Sequence, residues 1–209
     1  MIRFKVCGMR DKENIDSLVD LKPDFIGFIF YDKSPRFVGE EFNPSISASV
    51  PNHIKKVGVF VNAETAYVID KVKKYHLDFV QLHGRESAGY CKNLYDKNIG
   101  IIKAFGIDET FDFSTLKDYE SCCEFYLFDT KVASYGGSGK KFDWKILEKY
   151  DFHKPFFLSG GIDIIVAEEI LKLNNLNMIT LDINSRFETT PGFKNIEMIK
   201  TFIEKFNHI

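Results

Sequence analysis

The sequence predicts an α/β chain closed into a single (β/α)8 barrel, the TIM-barrel architecture, and three observations carry that prediction. Eight short apolar, β-branched or aromatic runs recur along the 209 residues. Polar stretches bearing Lys and Glu at helical spacing lie between them, and the runs start roughly 20 to 30 residues apart, the size of one βα unit. No linker rich in Pro, Gly or Ser and no low-complexity segment divides the chain, so one domain over 1–209 is expected. Strands alternating with helices imply a parallel sheet, and eight units in a row suit a closed barrel better than a doubly wound sheet of about five or six strands.

The first run, "IRFKVC" (2–7), gives way to Gly and charge, as a strand does at its exit. "DFIGFIF" (24–30) supplies the second strand, and the richest apolar stretch, "FIGFIFY" (25–31), has a strand's length rather than the roughly 20 residues that a bilayer needs. "IKKVGVFV" (54–61) is followed by "NAETAYVIDKVKKY" (62–75), where Ala66, Ile69 and Val72 stand at helix spacing. "LDFVQL" (77–82), "GIIKAF" (100–105) and "EFYLFD" (124–129) supply the fourth to sixth strands. "PFFLSG" (155–160) leads into the helical pattern "DIIVAEEILKL" (163–173), and "NMITLDI" (177–183) completes the eight.

The composition narrows the class of partner. The chain is 44% hydrophobic and 28% charged, with 28 basic against 30 acidic side chains, so no broad field favours nucleic acid or an anionic membrane surface. A small-molecule partner is expected. "MIRFKVCG" lacks the basic and longer apolar regions of a secretory signal, which points to the cytoplasm. Cys7, Cys91, Cys122 and Cys123 show no C-x-x-C spacing, and the adjacent pair forms neither an ordinary disulfide nor a zinc site, so no metal centre is expected. Cys91, Cys122 and Cys123 read as packing or surface thiols.

In a barrel of this kind, chemistry sits at the C-terminal ends of the strands. Those exits carry Cys7, "YDKSPR", Asn62, "QLHG", Asp129, "SGG" and Asp182. Cys7 shares a strand face with Lys5, while Phe4 and Val6 point toward the helices, so the thiol faces the barrel mouth. A free thiol titrates at about 8.5, and a nearby cation or dipole lowers that value to give a base able to take a proton from carbon near neutral pH. By residue type alone, a cysteine at a strand end is more often packing than catalysis. Asp129 follows the apolar run 125–128, where a carboxylate is costly to bury unless it is hydrogen-bonded or protonated. It suits a general acid, or else caps its loop by accepting from the next backbone amides.

"YGGSGKKFDW" (135–144) and "LSGGID" (158–163) place glycine clusters on neighbouring loops, with "INSRFE" on the eighth. Glycines let backbone N–H groups approach an anion, and together the three loops favour phosphate. Arg36, set by Pro35, is either a bidentate clamp for a carboxylate or a solvated surface residue. His83 donates to a substrate or fills the rim, and Gln81 points into the barrel with no task assigned. From these residues alone, the reading reaches a cofactor-free barrel enzyme acting on a phosphorylated, acidic small molecule by acid/base catalysis.

In order and spacing, "KVCGMR", "GFIFYDKSPRFV", "VGVFVN", "VQLHG", "FDTK" with "GGSGKKFDW", "LSGGI" and "DINSRFE" with "PGFKN" resemble the phosphoribosylanthranilate isomerases of tryptophan biosynthesis. The resemblance runs from Lys5 to about Asn195. It implies an Amadori rearrangement of an aminoribose phosphate on anthranilate, with Cys7 as base, Asp129 as acid and no metal or cofactor. It further implies that Arg36 holds the anthranilate carboxylate, that Asp182 lines the sugar, and that amides near Gly137, Gly160, Gly161, Asn184 and Ser185 hold the phosphate. Three departures stand out: Met9-Arg10 replaces Ile-Thr, Asn195 replaces Asp, and the residues from Asn184 to Glu188 replace Ser-Ser-Gly-Val-Glu. Arg186 in the glycine position either alters the backbone path at the phosphate or adds a charge contact. The alternatives are another phosphosugar barrel enzyme and a binding paralogue without turnover. A monomer or a homodimer fits either way.

Overall fold

Alternation along the strands sorts the chain's side chains between the inside of a barrel and a helical coat. The computed structural model describes residues 2–130, 143–173 and 177–207. Its main strands are β1 (Arg3–Cys7), β2 (Phe25–Ile29), β3 (Lys55–Phe60), β4 (Phe79–Leu82), β5 (Gly100–Ile107), β6 (Phe125–Thr130), β7 (Phe156–Leu158) and β8 (Met178–Ile183). They pair in chain order into a closed barrel, and the parallel β1–β8 register from Arg3↔Thr180 to Val6↔Ile183 shuts it. The eight strands and the (β/α)8 closure are those read from the sequence.

Inside, Phe25, Val57, Ile102, Ala104, Leu127 and Phe157 form one apolar layer, and Cys7, Ile29 and Val59 form another nearer the strand exits. Phe4 and Val6 face outward into the larger core, where Phe4 packs edge-on against Phe202 at 6.0 Å. That coat is built by α1 (Lys12–Val19), α2 (Pro44–Ala48), α3 (Thr65–Tyr75), α4 (Ala88–Tyr95), α5 (Ala167–Leu171) and α6 (Ile196–Asn207). Asp11 caps α1 by accepting from the Asn14 amide, and Ser87 caps α4 by accepting from Tyr90.

Two units depart from the strand-then-helix pattern. The segments Phe113–Tyr119, before β6, and Trp144–Lys149, before β7, are 3₁₀ turns rather than α-helices. Their buried anchors are spaced by three, Phe113 with Leu116 and Trp144 with Leu147, which suits three residues per turn. A hairpin, β9 (Glu188–Thr190) with β10 (Phe193–Lys194), also follows β8 where the sequence suggested only a loop. Among the described residues, no helix is long and apolar enough to cross a membrane.

Candidate active site

Cys7 closes β1 and is 4% exposed. Its register partner on β2 is Gly27, where an added Cβ would stand 2.8 Å from the Cys7 Sγ, so the missing side chain makes the room that the thiol occupies. Lys5, on the same face, lies opposite Asp182 of β8 and donates to its Oδ1 at 2.9 Å, with both side chains buried. Burial pushes the thiol's pKa up; Lys5 and Lys194 pull it down, Asp182 adds to the rise, and the balance is upward. The structure thus corrects the expectation of a lowered thiol, because the site that supplies the cations also removes the water. Burial also pushes Asp182 up, against the pull of Lys5. Lys5 is held above the usual lysine range because Asp182 and Cys7 outweigh its own desolvation.

Asp129 lies at the exit of β6 with its side chain 20% exposed. Its Oδ1 accepts from the Thr130 amide at 2.7 Å, so the loop-capping role exists, while Oδ2 stands 3.4 Å from His83 Nε2. Gln81 Nε2 meets His83 Nδ1 at 2.8 Å. With that amide nitrogen donating, Nδ1 accepts and Nε2 carries the hydrogen that faces Asp129. The other Gln81 amide atom, Oε1, is buried and lacks a hydrogen-bond partner among the described residues. Gly160 and Gly161 both have positive φ, +87° and +70°. A Cβ on Gly160 would lie 2.6 Å from Asp129 Oδ1, so only glycine lets the seventh loop pass over the carboxyl group.

Arg36 does not reach the mouth as an unengaged clamp. Its Nε and Nη2 grip the Glu188 carboxylate at 2.7 to 3.0 Å, and Lys194 Nζ donates to Glu188 Oε1 at 2.6 Å and to Asn184 Oδ1 at 2.7 Å. The carboxylate gripped through these two nitrogens is the protein's own. Nη1 has no hydrogen-bond partner among the described residues, and Arg36 still lines the cavity. Arg10, one of the departures from the family pattern, ties the Pro35 and Phe37 carbonyls to that of Pro191 and so fixes the Arg36 loop to the hairpin.

Glu188 is desolvated, but Arg36 and Lys194 more than offset this and hold its carboxyl below the ordinary 4.5. Its stabilising effect is therefore fully present above that value and fades as pH falls through the depressed one. Glu188→Gln is expected to cost about 3 kcal/mol near neutrality, the lower end for breaking a buried pair. Urea midpoints measured against pH should show wild type and variant converging in acid.

The predicted residues that the structure describes, Cys7, Arg36, His83, Gly160, Gly161, Asp129, Asp182, Asn184 and Ser185, line one cavity of about 550 Å³. Gly137 lies outside the described residues. Sequence reasoning missed Glu188 as the partner of Arg36, Lys194 as the second cation on that carboxylate, and the brace in which buried Lys103 donates to Glu86 Oε2 at 3.0 Å and to the Leu82 and Gly84 carbonyls. A lysine inside the apolar run "GIIKAF" was the available signal for that brace. Among the described residues, no group of three or more His, Cys, Asp or Glu side chains is arranged to hold a metal ion.

A closed eight-stranded barrel with a thiol, a carboxyl group and the Gly160–Gly161 exit around one cavity defines the class: a (β/α)8-barrel enzyme with its site at the strand ends. The profile of the N-(5'phosphoribosyl)anthranilate (PRA) isomerases matches residues 4–205. An N-(5'-phosphoribosyl)anthranilate isomerase of Parabacteroides distasonis is 44% identical over 207 residues, 98% of this chain and 93% of the relative. The crystal structure of phosphoribosyl anthranilate isomerase from Thermotoga maritima superposes with a TM-score of 0.89 at 34% identity, all of both chains covered. A phosphoribosyl anthranilate isomerase in complex with reduced 1-(o-carboxyphenylamino)-1-deoxyribulose 5-phosphate superposes with a TM-score of 0.86 at 30% identity, again over both whole chains. The chain belongs to the N-(5'-phosphoribosyl)anthranilate isomerase family, enzymes of tryptophan biosynthesis.

Proposed function

We propose that the barrel mouth converts N-(5'-phosphoribosyl)anthranilate to 1-(2-carboxyphenylamino)-1-deoxyribulose 5-phosphate, with Asp129 as general acid and Cys7 as general base. The observation that carries this reading is the placement of these two groups on different strands facing one cavity. Asp129 protonates the furanose oxygen as the C1–O bond breaks, and the anilino nitrogen's lone pair forms the iminium. The Cys7 thiolate then takes the proton from C2, and the C2–H electrons move into the iminium to give an enolamine. Tautomerisation puts a proton on C1 and leaves the ketone at C2. The iminium is the electron sink for the deprotonation.

In the same reading, backbone amides at Gly160, Gly161, Asn184 and Ser185, with Gly137, hold the phosphate, and His83 steadies Asp129. Asp182 lines the sugar, and the Nη1 edge of Arg36 meets the anthranilate carboxylate. The working unit is one barrel domain over 1–209 in the cytoplasm, as a monomer or homodimer, binding a phosphorylated small molecule rather than nucleic acid or membrane.

The test generates phosphoribosylanthranilate in situ and follows loss of its anthranilate-type fluorescence. The rate should rise in proportion to added protein, and no loss at any protein concentration overturns the assignment. Arg36→Ala should raise KM more than it lowers kcat, because a carboxylate clamp acts similarly in ground and transition states. A mainly kcat effect would move Arg36 beside the reacting carbons.

A further inference from the structure

Beneath the thiol, one ammonium is placed to serve two acidic groups. Lys5 and Asp182 face each other across β1 and β8, joined at 2.9 Å, and Cys7 lies two residues further along the same face of β1. Lys5 is fully buried, and Cys7 and Asp182 are nearly so at 4% and 5%. At that depth, charge is poorly hydrated and much less screened by salt, so each group's ionisation depends on its neighbours. The other cation acting on the thiol is Lys194 from the hairpin, itself engaged by Glu188 and Asn184. From β2 the thiol meets Gly27 and Ile29, neither of which titrates, while Asp129 of β6 and His83 beyond β4 act on Asp182.

We propose that Lys5 is a positioning residue for the proton-accepting step, its ammonium supporting the thiolate of Cys7 while Asp182 competes for the same charge. In the resting site the ammonium pairs with the Asp182 carboxylate and the thiol keeps its proton. As the proton leaves sulfur, the ammonium moves its charge toward Cys7, and Asp182 sets how far. Its catalytic meaning rests on Cys7 as the base, but the charge sharing is measurable on the thiol without substrate.

The experiment follows alkylation of Cys7 by iodoacetamide against pH in the full chain, read peptide by peptide with mass spectrometry so that Cys91, Cys122 and Cys123 are tracked separately. Asp182→Asn should move the Cys7 midpoint down, and Lys5→Met should move it up. Each shift should reach at least about one pH unit, a tenfold rate change on the slope. Lys5→Met leaves a buried carboxylate unpaired and is the variant that risks not folding. The double variant Lys5→Met with Asp182→Asn removes both charges, and its midpoint should lie above that of Asp182→Asn alone. Equal midpoints in that comparison, or a rise in Asp182→Asn, overturn the proposal. In Asp182→Asn the acid limb of kcat/KM should follow the alkylation midpoint down. A limb that stays while the midpoint moves removes Cys7 as the base, and with it the catalytic part of Lys5's role.

Discussion

Cys7→Ala is expected to lower kcat by about 10³-fold, within the range for one acid/base group, while the reduced product analogue still binds with nearly unchanged Kd. The thiol is 4% exposed at the cavity wall and does its work only when the C2–H bond is breaking, so its loss removes transition-state stabilisation and little binding. The same assignment sets a pH dependence. In the free enzyme kcat/KM should climb with pH as the thiolate forms, and because burial outweighs Lys5 and Lys194, the climb should extend above the ordinary thiol range of about 8.5. Cys122→Ala and Cys123→Ala should leave turnover near wild type. Both thiols are buried against the Tyr119 carbonyl, and burial keeps them un-ionised. The variants are compared by fluorescence turnover and by analogue titration. More than a small residual activity in Cys7→Ala would move the base elsewhere.

Asp129→Asn is expected to cost at least about 10²-fold in kcat, because the amide keeps the carboxyl group's shape but delivers no proton. The fold should survive. The Asn oxygen can still accept from the Thr130 amide, its NH2 group then takes the place of Oδ2 beside His83, and an amide is easier to bury than a charge. Thermal unfolding midpoints close to wild type would separate lost chemistry from lost structure. A fully active Asp129→Asn enzyme would show that ring opening proceeds without this group. Asp182 would then be the next carboxyl group to examine, although its ion pair with Lys5 already commits one of its oxygens.

The strands and their exits were legible in the chain because they rest on local pattern. Apolar runs of strand length end at Cys7, Asp129 and Asp182, and alternation within "IRFKVC" puts Lys5 and Cys7 on the inner face and Phe4 and Val6 on the outer one. The glycines at 160 and 161 were readable for the same reason: two adjacent residues without side chains mark a special backbone. The 3₁₀ turns at Phe113–Tyr119 and Trp144–Lys149 were not, since a three-residue apolar spacing also fits one face of an α-helix. Nor were the partners of the charges. Arg36 meets Glu188 across 152 residues and Lys5 meets Asp182 across 177, pairings that exist only once β8 closes on β1 and the hairpin folds back. The thiol's proton affinity belongs to the same level: motif and spacing put Cys7 at the mouth, but its upward shift follows from water excluded by the closed barrel and from charges on β1, β8 and β10, and desolvation and long-range charge pairing have no local signature.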